Sequence, residues 1–274
     1  MDSEHIRYET TGPIVRITLD RPAKLNAIDA GMLDGLHAAL DRAEADERVR
    51  AVLLAGAGRS FSAGFDLAPG EGPRSVQTVR ADLRRGFDLI LRFWNSPKPT
   101  IAAVHGHCLG SGMELALACD LTIAAQGTRF GAPEVRFGSG ILMLILPWLI
   151  GAKAAKSLLL IGDDTLDAER ALAYGLVSEV VPAAELPDRA LALARRIAGN
   201  DRIAVSLTKQ AINRGYDVAG MRAALEQAFE LDVLIETSDS PEAQAFNEIL
   251  RRDGVKAAIA WRDAQTAKLF GEQS

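Results

Sequence analysis

Two acidic residues lie where acid–base chemistry could be carried out. Glu114 follows the glycine-punctuated run Gly110-Ser-Gly112, and Glu134 sits in Phe130-Gly-Ala-Pro-Glu-Val-Arg-Phe-Gly138. One carboxyl group can act as base and another as acid when their surroundings separate their pKa values. The glycine run opens a helix whose first amides have no partners inside it. Such a helix start offers N–H donors and partial positive charge to a polarised oxygen. A second donor near Phe65, in the small-residue loop Ser60-Phe-Ser-Ala-Gly-Phe-Asp-Leu67, would complete an oxyanion hole. The chemistry implied is stabilisation of an oxyanion on a carbonyl, coupled to proton transfer. Taken singly, Glu114 reads as a first-turn acid complementing the helix dipole, and Glu134 as a loop acid. Their combination with the glycine turn favours catalysis.

The elements that must position these residues follow from hydrophobic periodicity. Ile14 to Leu19 alternates apolar and polar and predicts a strand. Asp29 caps a helix carrying Met32, Leu33, Leu36 and Leu40 on one face. Ala51 to Ala55 reads as a buried strand, followed by the glycine-rich loop Gly56 to Gly64. A helix over about Ser75–Trp94 is followed by Pro97 and Pro99, then by a strand from Thr100 to Val104. After the glycine turn come a short helix, Ser111–Ala118, and a strand, Leu121–Ala125. The helix rises roughly 10 Å. The strand, at about 3.3 Å per residue, can retrace that path and return Glu134 toward Glu114. Alternating strands and helices define an α/β class. Beyond Pro182 only helices are expected. Residues 1–200 form the expected core and 201–274 a helical oligomerisation region, with apolar positions from Ala223 to Ile235 exceeding one core-facing stripe.

Composition narrows the function classes. The chain of 274 residues has ample core, 48% hydrophobic and 24% charged residues, and a formal net charge of -5. That balance argues against a nucleic-acid surface, which needs a basic excess. Cys108 and Cys119 lie in apolar stretches and read as buried free thiols in a reducing compartment. The N-terminal residues carry no basic-then-apolar pattern, and the apolar run Ile141–Ile150 is too short to span a bilayer. A cytoplasmic protein without membrane attachment is expected.

Other conspicuous residues have plainer readings. Asp66 is expected to fix its loop, and Asp120 to bond backbone at a strand entry. His105 and His107 lack further ligands nearby, so no metal is expected. Leu109 and Met113 stand where a nucleophile elbow needs glycine, and Phe61 where a dinucleotide fingerprint needs its third glycine. Met143 and Trp148 read as pocket or core apolars.

Taken together, three segments resemble the signature of the enoyl-CoA hydratase/isomerase (crotonase) superfamily: Ser60–Leu67, Phe130–Gly138 and His105-Gly-His-Cys-Leu-Gly-Ser-Gly-Met-Glu-Leu-Ala-Leu-Ala-Cys-Asp120. The similarity runs from about Ile14 to the C-terminal helices. It implies a crotonase-like spiral of ββα units with a C-terminal helical region, assembled as a homotrimer or a dimer of trimers. It also implies an acyl-CoA substrate, no separate cofactor, and a thioester enolate held by two backbone amides. By position, Phe65 and Ser111 supply those amides, and Glu114 and Glu134 match the catalytic glutamates. Ala63, Phe65, Asp66, Leu67 and Ala68, with Ser111, line the CoA side, and Lys24 contacts phosphate. The implied reaction is hydration of a trans-2-enoyl-CoA. Δ3-Δ2-enoyl-CoA isomerisation, another acyl-CoA reaction of the family and a non-catalytic binding role are the alternatives. The chain departs from the family pattern at Ser111, where glycine is common, and between Gly138 and Trp148. There it carries large aliphatic residues in place of a proline and several glycines, which puts Ile141, Leu142 and Trp148 in the acyl pocket.

Overall fold

The computed structural model describes residues 4–67, 75–238 and 240–270. Its main sheet has six strands: β1 (Ile6–Thr11), β2 (Ile14–Leu19), β3 (Ala51–Gly56), β4 (Thr100–Val104), β6 (Leu121–Ala125) and β9 (Glu179–Val181), adjacent in that order. A second sheet joins β5 (His107–Leu109), β7 (Arg129–Gly131) and β8 (Leu166–Asp167). Helices α1 (Ala30–Ala45), α2 (Val76–Asn95), α3 (Ser111–Ala118), α4 (Leu146–Ile161), α5 (Ala168–Ala173) and α6 (Leu186–Ala198) connect and cover them. Helices α7 (Arg202–Val218), α8 (Met221–Glu236), α9 (Pro241–Asp253) and α10 (Val255–Leu269) complete the chain.

β1 and β2 form an antiparallel hairpin, and the strands from β2 to β9 are parallel. Parallel strands covered on both faces are near-continuously apolar, and every residue of β4 is buried. The period of two sorts their side chains between two cores. Val52, Leu54, Ala102 and Val104 face the larger core with α1 and α2, while Leu53, Ala55, Ile101 and Ala103 face the other. Ala190, Ala194 and Ala198 form a small-residue stripe that lets α6 approach this second face.

Local signals fix the helix starts. Asp29 accepts a hydrogen bond from the Met32 amide at 2.8 Å, and Ser75 accepts from Thr78 at 3.1 Å. The division between residues 200 and 201 falls in the short connection from α6 to α7. The helices beyond it also pack on the core: Phe229 of α8 is buried against Phe87 of α2, with ring centroids 5.2 Å apart.

Candidate active site

The second sheet brings the two glutamates together. β5 pairs in parallel with β7, and the Gly110 amide donates to the Gly131 carbonyl at 2.8 Å. The chain then turns through Pro133 into a single 3-10 turn, Glu134–Phe137. A Cβ on Gly110, whose φ is +54°, would stand 2.5 Å from Glu134 Oε1. Glycine here permits both the backbone angle and the approach of the carboxyl group.

Gly64, with φ +90°, does the same for the opposite loop. A Cβ there would lie 3.0 Å from the Leu109 carbonyl and 3.4 Å from the Ser111 nitrogen. The Phe65 loop therefore seats directly beside the start of α3. Among the described residues, neither the Phe65 nor the Ser111 amide donates a backbone hydrogen bond. Both remain available to an incoming oxygen.

Asn26 holds this loop from behind. It is fully buried, and its Nδ2 donates to the carbonyls of Ala57 at 2.8 Å, Ser60 at 2.8 Å and Phe61 at 3.1 Å. Its Oδ1 accepts from the Arg21 amide. Asp66 fixes the loop's far end by accepting from Arg21 Nη1 at 2.6 Å. Gly86 of α2 opens space in front, because a Cβ there would meet the Phe65 ring at 2.6 Å and Leu142 at 2.9 Å.

Glu114 is 2% exposed, and its Oε1 accepts from the Met143 amide at 2.6 Å. Burial raises its pKa well above the ordinary carboxylate value, Glu134 adds to the rise, and the Met143 amide opposes it. Burial also lifts the Glu134 pKa to about 7, and its Oε2 has no partner.

The cavity between them measures about 100 Å³ and reaches Ala63, Phe65, Leu67, Ser111, Glu114 and Glu134. Leu142 lines it and is also part of the main core. Ile141 and Trp148 pack against that core without lining the cavity. Lys24 lies exposed on the turn before Asn26, and Ala68 falls outside the described residues. A larger cavity, about 440 Å³, contains Asp120, but that acid is tied to the Thr100 amide at 2.7 Å and Lys209 at 2.8 Å. His105 and His107 bond Gly58 and Ser60 within the loop scaffold.

Sequence reasoning missed a third acid. Asp232 of α8 is 2% exposed, lines the same cavity, and carries a buried Oδ1 without a partner. Its signal was an acid seven residues after Leu225 and three after Phe229, on the apolar stripe of an amphipathic helix. Burial, with help from Glu236, lifts its pKa to about 7.

The arrangement can hold a carbonyl oxygen on two amides and pass protons beside it. Its relatives agree with that chemistry. The family described as Enoyl-CoA hydratase/isomerase matches residues 9–252. An enoyl-CoA hydratase/isomerase structure from Xanthobacter autotrophicus Py2 superposes with a TM-score of 0.91 at 48% identity, covering 96% of this chain and 98% of that one. The short-chain-enoyl-CoA hydratase of Clostridium acetobutylicum is 36% identical over 94% of both chains. The (E)-benzylidenesuccinyl-CoA hydratase of Thauera aromatica is 35% identical, over 89% of this chain and 96% of its own. With this fold and this sequence similarity, the chain belongs to the enoyl-CoA hydratase/isomerase family.

Proposed function

We propose that the protein is an enoyl-CoA hydratase, a lyase that adds water across the α,β-double bond of a trans-2-enoyl-CoA. The observation carrying this reading is the pair of uncommitted amides at Phe65 and Ser111, flanked by Glu114 and Glu134 in one cavity. The thioester oxygen accepts from both amides. Water attacks the β-carbon and gives its proton to Glu114, while the double-bond electrons move onto the thioester oxygen as an enolate. The enolate then takes a proton at the α-carbon from Glu134, and the carbonyl re-forms. The net change is one water added, with one proton passed back between the acids to reset them. No electrons leave the substrate, so the reaction requires no cofactor beyond the CoA it carries.

Glu134 fits the donor role, since a carboxyl group with pKa about 7 is substantially protonated near neutrality. Glu114 is assigned the water side, where the hydrogen bond from the Met143 amide fixes the position of its carboxyl group. Ala63, Phe65, Asp66 and Leu67, together with Ala68, are proposed to line the CoA side, with Lys24 as a phosphate contact. A second reading, Δ3-Δ2 isomerisation, is favoured by the unpartnered Glu134 Oε2, which could shuttle a proton alone.

The working form proposed is a homotrimer or dimer of trimers in the cytoplasm. Exposed Ile203, Leu207 and Ile212 on α7 and Leu231, Leu234 and Ile235 on α8 support the assembly. No helix among the described residues is long and apolar enough to cross a membrane. The deciding experiment follows the conjugated-enoyl absorbance across enoyl-CoA thioesters of different length. Loss of absorbance with a 3-hydroxyacyl-CoA product supports hydration, and an inert panel with folded protein overturns it.

A further inference from the structure

Among the described residues, six buried side-chain nitrogen or oxygen atoms lack a hydrogen-bond partner, and those of Ser111, Glu134 and Asp232 line one cavity. Ser111 and Glu134 lie at the reacting end. Asp232 has no task in water addition as derived above, yet an unpaired buried polar group carries a substantial energetic cost.

The surroundings of Asp232 are built to accommodate it. Arg84 pairs with Glu226 at 2.8 Å and lies 3.9 Å over the Phe229 ring, holding α8 on α2. One turn beyond Asp232, Glu236 accepts from the Ser139 hydroxyl and from the Gly140 amide, so it clamps the adjoining segment. A Cβ on Gly140 would stand 1.9 Å from Asp232 Oδ1. Glycine at 140 thus clears the seat that the carboxyl group occupies. Leu83, Leu142 and Phe65 supply apolar walls for the carbons of an acyl chain.

We propose that Asp232 is a specificity-determining substrate contact that hydrogen-bonds a hydroxyl group on the acyl chain of the enoyl thioester, beyond the double bond. This rests on the hydratase reading. A hydroxyl both donates and accepts, so it satisfies Oδ1 whether the carboxyl group is ionised or protonated. A plain hydrocarbon chain leaves that oxygen orphaned inside the complex. Sites built for a substrate hydroxyl reject analogues lacking it far more strongly than apolar pockets reject a missing methylene.

The test compares kcat/KM for two matched pairs: but-2-enoyl-CoA with trans-4-hydroxybut-2-enoyl-CoA, and pent-2-enoyl-CoA with trans-5-hydroxypent-2-enoyl-CoA. The wild-type enzyme should favour the hydroxylated member of at least one pair by about tenfold or more, mainly through KM, as one hydrogen bond to a charged group implies. Asp232→Ala should bring that ratio near one, whereas Asp232→Asn, which keeps a hydrogen-bonding group, should retain most of it. If Asp232→Ala does not fold, Gly140→Ala serves, since its methyl group displaces the carboxyl group and must also lower the ratio. A wild-type ratio near one in both pairs, with plain substrates hydrated, overturns the inference and leaves the hydratase reading standing. A preference that survives Asp232→Ala or, in its place, Gly140→Ala also overturns it. If no substrate is hydrated, the hydratase reading fails and the inference falls with it.

Discussion

The Met143 amide donates to Glu114 Oε1 at 2.6 Å, tying the buried glutamate to the aliphatic segment that leads into α4. The tie uses backbone, so it does not depend on the chemistry of the Met143 side chain. The proposed division of labour between the two acids can be tested.

Glu114→Gln preserves shape and removes the base on the water side. Hydration of but-2-enoyl-CoA should fall roughly a hundredfold to ten-thousandfold, the usual worth of a positioned acid or base. Isomerisation of a 3-enoyl-CoA, if the enzyme performs it, should largely persist. Glu134→Gln should disable both reactions. Wild-type turnover by folded Glu134→Gln protein would remove the mechanism.

Ser111 should act through its nitrogen. Its hydroxyl is buried without a partner, so Ser111→Ala sacrifices no hydrogen bond made by the free protein. Proline at the first helical position is structurally tolerated but lacks the N–H. Ser111→Pro should therefore fold and lose about a hundredfold or more in kcat, while Ser111→Ala keeps most activity. Equal loss in both variants would transfer the role to the hydroxyl.

Glu134 should make stability fall with rising pH. Its pKa rises from an ordinary 4.5 to about 7 on folding, so the folded state holds its proton where the unfolded chain has released it. Stability is full below about pH 4, declines between roughly 4 and 7, and is lowest above. At 1.36 kcal/mol per pKa unit the loss is roughly 3 kcal/mol. Urea unfolding of Glu134→Gln at pH 4.5 and pH 8 should show a correspondingly smaller decline than wild type. Parallel declines would assign the buried charge elsewhere.

Gly86 sets local helix stability against site geometry. Alanine favours a helix interior by about 1 kcal/mol over glycine, but a Cβ there lies 2.6 Å from the Phe65 ring. Displacing that loop by about 1 Å can cost on the order of a hundredfold in rate. Gly86→Ala should lower kcat by about tenfold or more without a matching loss of Tm. Unchanged kcat would show that the Phe65 ring moves independently of its amide.

The central strands and the helix that carries Glu114 were the most legible. Thr100–Val104, Ser111–Ala118 and Leu121–Ala125 form at the expected residues, because each is mostly apolar and is preceded by proline, glycine or aspartate. β1 escaped notice because Ile6–Thr11 is a mostly exposed edge strand, identified only by its pairing with β2. β5, β7 and β8 are too short to establish a period. Glu114 and Glu134 were readable because glycines announce their turns. Met143 acts through a backbone N–H that every residue type except proline has. Asp232 reaches the cavity only through the packing of α8 on α2, which local sequence does not encode.

The contact between Gly140 and Asp232 ties the choice of residue at one position to that at the other. With any larger residue at 140, an acid at 232 meets a methyl group 1.9 Å from its oxygen. Glycine at 140 therefore permits the acid at 232 to occupy this position, and a larger residue there displaces the carboxyl group from it. A change at 140 is thus also a change in where the acid stands, so the two positions are expected to vary together.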